Sequence, residues 1–159
     1  MNDLHRAYLS LGSNIDPAAH LAQAVRMLKD YGPVQAVSRI WESHAVGSDG
    51  PDFLNACVLF ASNLQPEDVK ERIIRPIEAK LGRIRSADKN APRTVDLDMV
   101  LFDETPLNIE FWAQAFVVVP LAELIPEFIH PVRGEELSRV AEQLQSQVWI
   151  VPRPEVLIL

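Results

Sequence analysis

The stretch NAPRTVDLDMVLFD, residues 90–103, sets two carboxylates, Asp96 and Asp98, in the middle of a run of β-forming apolar residues. Side chains alternate across a strand with a period of two, so Asp96 and Asp98 share one face while Val95, Leu97 and Met99 take the other. Closely spaced carboxylates suit Mg2+, which commonly takes one or two of them and completes its octahedron with water and substrate phosphate. Immediately before the strand, KLGRIRSADKNAPR carries Lys80, Arg83, Arg85, Lys89 and Arg93 against a single carboxylate, Asp88. Guanidinium groups bind phosphate oxygens in multidentate fashion. Taken singly, the acidic pair also describes a solvated strand face and the basic run a solvated loop. The strand begins within three residues of the last arginine, which forces the two features to be neighbours, and together they describe a magnesium-bound polyphosphate.

A second group lies in FLNACVLF, where Phe53, Asn55, Cys57 and Leu59 share one strand face opposite Leu54, Ala56, Val58 and Phe60. An aromatic ring beside an amide suits a flat heterocycle, by stacking on its face and hydrogen bonding to its edge. The same pair also fits a core phenylalanine next to a backbone-capping asparagine.

These residues need elements to carry them. Residues 6–11 alternate Ala7, Leu9 and Leu11 against Tyr8 and Ser10, a half-buried strand that stops at the turn Gly12-Ser13-Asn14. Asp16 is placed to cap a helix opened by Pro17, with Leu21, Ala24, Val25 and Leu28 on one face before Gly32. Residues 34–43 and 53–62 read as strands around the loop HAVGSDGPD. A second helix begins at Pro66, with a stripe of Val69, Ile73, Ile77 and Leu81 ending at Gly82, and Pro76 inside it predicts a kink or break near Arg72. AFVVVPLAELIP reads as a strand running into a short helix, and GEELSRVAEQL as a last helix. The order β-α-β-β-α-β with a C-terminal extension predicts an α+β, ferredoxin-like fold in a single domain over residues 1–159.

Composition narrows the function classes. Fifteen Lys and Arg against 22 Asp and Glu leave a net charge of −7, which argues against a general nucleic-acid or anionic-membrane surface. The single cysteine, Cys57, has no intramolecular disulfide partner and sits in an apolar run, as a buried thiol does. The chain shows neither a signal-peptide pattern nor an apolar stretch of membrane-span length, so a cytoplasmic, monomeric protein is the expectation.

YLSLGSN, GPDFLNACV, IEAKLGRIRSADKNAPRTVDLDMVLF and FVVVPLAELIPEF, in that order, resemble the 6-hydroxymethyl-7,8-dihydropterin pyrophosphokinase family. The most specific segment is Gly82-Arg83-Ile84-Arg85 followed by Pro92-Arg93-Thr94-Val95-Asp96-Leu97-Asp98. The resemblance implies a ferredoxin-like α+β fold and transfer of diphosphate from MgATP to the hydroxymethyl group of 6-hydroxymethyl-7,8-dihydropterin, releasing AMP, in folate biosynthesis. It implies that Asp96 and Asp98 hold two Mg2+ ions and that Arg83 and Arg93 grip the triphosphate during transfer. Arg85 and Lys89 then lie near ATP, with Met99 on the same nucleotide side. Asn55 hydrogen-bonds the pterin, with Phe53 nearby and Phe116 stacked on its ring. Ser43 and Val46 fall where the preceding loop touches the pterin, and Gly12, Ser13 and Asn14 form the turn after the first strand. The basic loop and residues 44–52 are expected to close over bound substrates.

The chain departs from the family between the acidic strand and FVVVPL. ETPLNIEFWAQA is shorter by roughly half a dozen residues than the family pattern, lacks its histidine, and has Gln114 where an arginine is expected. Trp112, in this stretch, is expected to pack or to reach the nucleotide. His44 and Ala45 stand in place of prolines, and Asn90 in place of a tryptophan. None of His5, His20, His44 and His130 is expected to be catalytic. Two other functions share the architecture: a divergent paralogue that binds a pterin or nucleotide with little turnover or a different substrate, and a nucleotidyltransferase-like palm, against which the acidic balance counts.

Overall fold

The alternation of Ala7, Leu9 and Leu11 puts β1 (His5–Ser13) at the centre of the sheet, paired antiparallel with β4 (Phe53–Ser62) on one side and β5 (Asp96–Phe102) on the other. The computed structural model describes residues 4–47, 49–82 and 94–156. With β2 (Val34–Val37), β3 (Trp41–Ser43), β6 (Thr105–Pro106) and β7 (Ile150–Pro152), the strands run in the order β6-β5-β1-β4-β3-β7, and β2 pairs with β4. The central order β5-β1-β4-β3, joined by helices after β1 and β4, is the ferredoxin-like arrangement.

Each face of the sheet has its own core. On one, Leu21, Ala24, Val25 and Leu28 of α1 (Pro17–Tyr31) join Val69, Ile73 and Ile77 against Leu9, Leu11, Val58, Phe60, Leu97 and Met99. On the other, α4 (Ala115–Leu124) and α5 (Leu137–Gln147) cover Tyr8, Trp41, Cys57 and Leu101. Burial pushes the Cys57 thiol well above its ordinary range, as an inert core thiol requires. A register shift between Tyr8 and Leu9 leaves Val100 as an extra residue in β5, and Leu101 stays over the second core while Phe102 returns to the first.

Several local expectations are corrected. Residues 34–43 are two strands, because the Ser38 hydroxyl, not a backbone carbonyl, accepts the Cys57 N–H at 2.9 Å and breaks the ladder. Residues 115–124 are helical throughout, Pro120 included: enclosed by the sheet and α5, the segment buries apolar side chains all round, which overrides the strand propensity of its valines. Asp16 does not cap α1 with its side chain; it sits in the left-handed region at φ 42° and only its carbonyl accepts the His20 N–H.

The second helix breaks at its proline in a specific way. Between α2 (Pro66–Val69) and α3 (Arg75–Lys80) lies a π turn, Lys70–Ile74, in which the Arg75 N–H reaches the Lys70 carbonyl. Pro76 has no N–H for the Arg72 carbonyl, and the extra residue in the turn absorbs that loss while Val69, Ile73 and Ile77 stay in the core. Gly32 closes α1 for a different reason, since a Cβ there would stand 2.7 Å from the Ala61 carbonyl oxygen. No described helix is long and apolar enough to cross a membrane.

Leu9, fully buried between β4 and β5, tests the first core. Leu9→Ala should lower the unfolding free energy by about 2–5 kcal/mol in urea titrations; a loss under about 1 kcal/mol would contradict this packing.

Candidate active site

Two rows of residues cross the three central strands on the face that carries α4. Register pairs set Asn55, Gly12 and Asp96 side by side, and Cys57, Ser10 and Asp98 beside them. Neighbouring strands lie about 4.8 Å apart, so Asn55 and Asp96 are roughly 10 Å apart across Gly12. The glycine leaves that space open: its φ is not left-handed, and a Cβ would make ordinary contacts with Asn55 Oδ1 at 3.4 Å and Phe53 Cδ1 at 3.6 Å, filling the gap between them. The amide, the aromatic ring and the two carboxylates therefore share one floor.

Asn55 is held rigidly. It is 2% exposed, and its Nδ2 donates to the Trp41 carbonyl at 3.1 Å and to Ser43 Oγ at 2.8 Å. Both donors are spent on β3, which leaves Oδ1 as an acceptor directed over Gly12. Ser43 is buried and pairs with Phe53 across the β3–β4 ladder; Phe53 is half-buried. Phe116, half-buried in the first turn of α4, packs against the core on this same face. Val46 is 58% exposed in the loop after β3.

The turn after β1 fastens the surrounding segments. Ser13 Oγ donates to the Thr94 carbonyl, just ahead of the acidic strand, and Asn14 Nδ2 donates to the Pro51 carbonyl, just ahead of β4. On the outer side of β5, the Leu97 N–H donates to Glu78 Oε2 at 3.0 Å. Glu78 is 3% exposed, a residue that motif reasoning passed over. Its position was the available signal: four residues after Ile74 and three before Leu81, it falls on the apolar face of its helix, where a carboxylate needs a partner.

Asp96 and Asp98 are half-buried on the floor, and Thr94 Oγ1, two residues earlier, is buried without a hydrogen-bond partner. Among the described residues no group of three or more His, Cys, Asp or Glu side chains forms a metal cluster. Two carboxylates without a full protein cage fit Mg2+, which takes the rest of its shell from water and phosphate oxygens. Asp98 also borders a cleft of about 350 Å3 between β5 and the interrupted helix, with Ile74, Met99 and Leu107 as apolar walls and Lys70 and Arg75 as its cations. Arg83, Arg85, Lys89 and Arg93 lie outside the described residues.

The shortened segment after β5 is packed into the second core. It forms β6 and a 3-10 helix, Ile109–Ala113, entered through left-handed Asn108 at φ 50°. Asn108 Nδ2 donates to the Met99 carbonyl at 2.8 Å. Trp112 does not reach the cleft: its indole is fully buried, and Nε1 donates to the carbonyls of Val100 and Leu107 at 3.1 and 3.2 Å. His130 Nδ1 accepts the N–H groups of Val132 and Arg133, so its Nε2 carries the proton and donates to the Trp112 carbonyl at 2.6 Å. His130 is buried, and its ring ties three main-chain groups together.

On the opposite side, the His44 ring stacks on Trp149 with centroids 4.4 Å apart and 15° between planes, and His44 Nδ1 donates to Asp52 Oδ1 at 2.9 Å. That bond joins the two ends of the 44–52 loop and holds the Asp52 carboxyl below its usual range.

Comparison with known proteins bears on the family and the fold of the chain. Residues 8–126 match the sequence model of a family described as 7,8-dihydro-6-hydroxymethylpterin-pyrophosphokinase (HPPK). A Synechocystis protein described as 2-amino-4-hydroxy-6-hydroxymethyldihydropteridine pyrophosphokinase is 33% identical over 159 residues, covering 92% of this chain and 80% of its own. The Bacillus subtilis protein of the same description is 35% identical over 161 residues, covering 94% and 92%. Among solved structures, wild-type Plasmodium falciparum HPPK-DHPS with pteroate superposes with a TM-score of 0.70 at 12% identity, over 92% of this chain. At that identity the likeness is one of fold, and the chain spans 43% of the length of that protein.

The Asp52 bond gives a pH test with a definite sign. A carboxyl whose folded pKa is depressed adds stability that is complete above its unfolded value of 3.8 and is lost as pH falls through the lower folded value. Asp52→Asn should therefore flatten the fall in urea midpoint between about pH 5 and pH 2 relative to the parent chain. Superimposable acid limbs would mean that the His44–Asp52 bond is not made in solution.

Proposed function

Because the chain belongs to the 7,8-dihydro-6-hydroxymethylpterin-pyrophosphokinase family, we propose that the floor across β4, β1 and β5 is where its two substrates meet. The chain is an ATP-dependent pterin pyrophosphokinase, moving diphosphate from ATP to the hydroxymethyl group of hydroxymethyldihydropterin in folate synthesis. The observation that carries the site assignment is the row Asn55–Gly12–Asp96, which puts a heterocycle-reading acceptor one strand spacing on either side of a bare glycine from a phosphate-side carboxylate.

Asn55 Oδ1 accepts an N–H from the edge of the pterin, and Ser43 fixes the amide in that orientation. Phe53 and Phe116 supply faces for the ring, and the main chain at Val46 borders it. Gly12 leaves room for the hydroxymethyl arm to run towards Asp96 and Asp98. The nucleoside lies in the cleft beside Asp98, against Ile74, Met99 and Leu107. Asp96 and Asp98 would hold Mg2+, as two ions, which when bound screens the phosphate oxygens and polarises phosphorus. Arg83 and Arg93 brace the triphosphate as charge shifts, with Arg85 and Lys89 on the nucleotide side. The pterin hydroxymethyl oxygen forms a bond to the β-phosphorus, the bond from that phosphorus to the α,β-bridging oxygen breaks, AMP leaves, and the hydroxyl proton passes to water. The residues supply placement and charge, and no side chain on the floor acts as general base.

Incubation with MgATP and 6-hydroxymethyl-7,8-dihydropterin should release AMP in step with pterin diphosphate, and failure to form AMP would overturn the assignment. Asp98→Ala should reduce turnover by about 10²–10³-fold, the scale of losing one charge-stabilising group; full activity would remove Asp98 from the site. Asn55→Ala should weaken pterin binding by about 1–3 kcal/mol and MgATP binding far less, as read by calorimetry, and equal weakening of both ligands would count against its role.

A further inference from the structure

The π turn in the helix facing the acidic strand changes which side chains look into the cleft. In an uninterrupted α-helix, at 100° per residue, Arg75 would stand about 140° round the axis from Lys70 and away from β5. The extra residue in the Lys70–Ile74 π turn sets every later side chain back by about 100°, which leaves Arg75 about 40° from Lys70. Both residues accordingly line the cleft with Ile74, next to Asp98. The turn is tied to Pro76, so the backbone irregularity and the direction of Arg75 have one cause.

Arg75 is half-buried and, among the described residues, forms no ion pair or hydrogen bond with another side chain. A guanidinium held in a cleft without a carboxylate partner is poised for an anion from outside the protein. The opposing wall supplies no cation: residues 94–129 contain no Lys, Arg or His. Its indole and carbonyl groups are committed to the interior through Trp112 and His130. Glu67, the other carboxylate of the cleft among the described residues, sits in the first turn of α2, where the helix dipole favours it.

Resting on the nucleotide assignment above, we propose that Arg75 is a nucleotide-contacting residue, turned into the cleft by the π turn to grip a phosphate oxygen of ATP from the helix side. The interaction is a forked, charge-assisted hydrogen bond, formed alike in the ground state and during transfer, so it acts on ATP affinity more than on turnover.

The test pairs steady-state kinetics with direct binding. Arg75→Gln should raise the KM for MgATP about tenfold, the scale of one charge-assisted hydrogen bond, with kcat and the KM for pterin little changed. Arg75→Lys should recover part of the loss, because it keeps the charge without the fork. Arg72→Gln removes an exposed arginine of the same π turn that does not line the cleft, and it should behave as the parent chain. Calorimetry with α,β-methylene ATP and Mg2+ measures nucleotide binding apart from chemistry. An unchanged affinity in Arg75→Gln, or an equal loss in Arg72→Gln, would overturn the proposal even with AMP formation intact. A parent chain that binds the analogue but forms no AMP would sink the functional reading and leave Arg75 to be decided by binding.

Discussion

The whole site hangs on the pairing of β1 with both of its neighbours along its length. Antiparallel register is specified only to within the two-residue repeat, and a slip of one residue would carry Asp96 and Asp98 into the apolar layer under α1 and lift Leu97 and Met99 out of it. The cost of burying two carboxylates there, and of exposing two core side chains, forbids that slip. The irregularity at Val100 lies at the far end of the pair, so the mismatch in strand phase is absorbed away from the floor. Asp103 locks that far end: its carboxylate accepts the Arg6 N–H at 2.9 Å and His5 Nδ1 at 2.8 Å, bonds that hold its carboxyl below the usual range.

Around this ladder, several polar groups near the floor have partners that also fix geometry. Ser13 and Asn14 tie the turn after β1 to the segments entering β5 and β4. Glu78 occupies the edge of β5 where no described strand pairs, standing with its carboxylate where a ladder carbonyl would. Asn55 spends both amide donors inward and keeps its oxygen for the open side. An acceptor at that place discriminates by what a ligand must donate, because a molecule without a matching N–H would leave the oxygen dry and unpaired.

The sequence carried the parts of this arrangement that depend on period alone. Alternation in residues 53–60 and 95–99 assigned the right residues to the right faces, and the order of elements led to the ferredoxin-like fold, because both follow from backbone geometry and burial. What depends on tertiary context was hidden. The valines of residues 117–119 favour a strand, and only enclosure by the sheet and α5 makes them helical. Ser38 breaks a strand through its hydroxyl, an event no periodicity records. Pro76 announced an interruption, but not that the helix would take it as one added residue instead of a kink. The arginines of residues 83–93 were named from motif and chemistry, and they lie outside the described residues.

The buried indole of Trp112 decides where the cleft has its doorway. The short segment after β5 is stapled at both ends of the tryptophan, by two carbonyls beneath its ring nitrogen and by the His130 imidazole on its main chain. To swing outward it would strip that N–H of its acceptors and open a void the size of an indole, a cost on the order of several kcal/mol. This side of the cleft is a jamb and not a door. A nucleotide seated in the cleft as proposed would have to enter and leave without any movement of this wall.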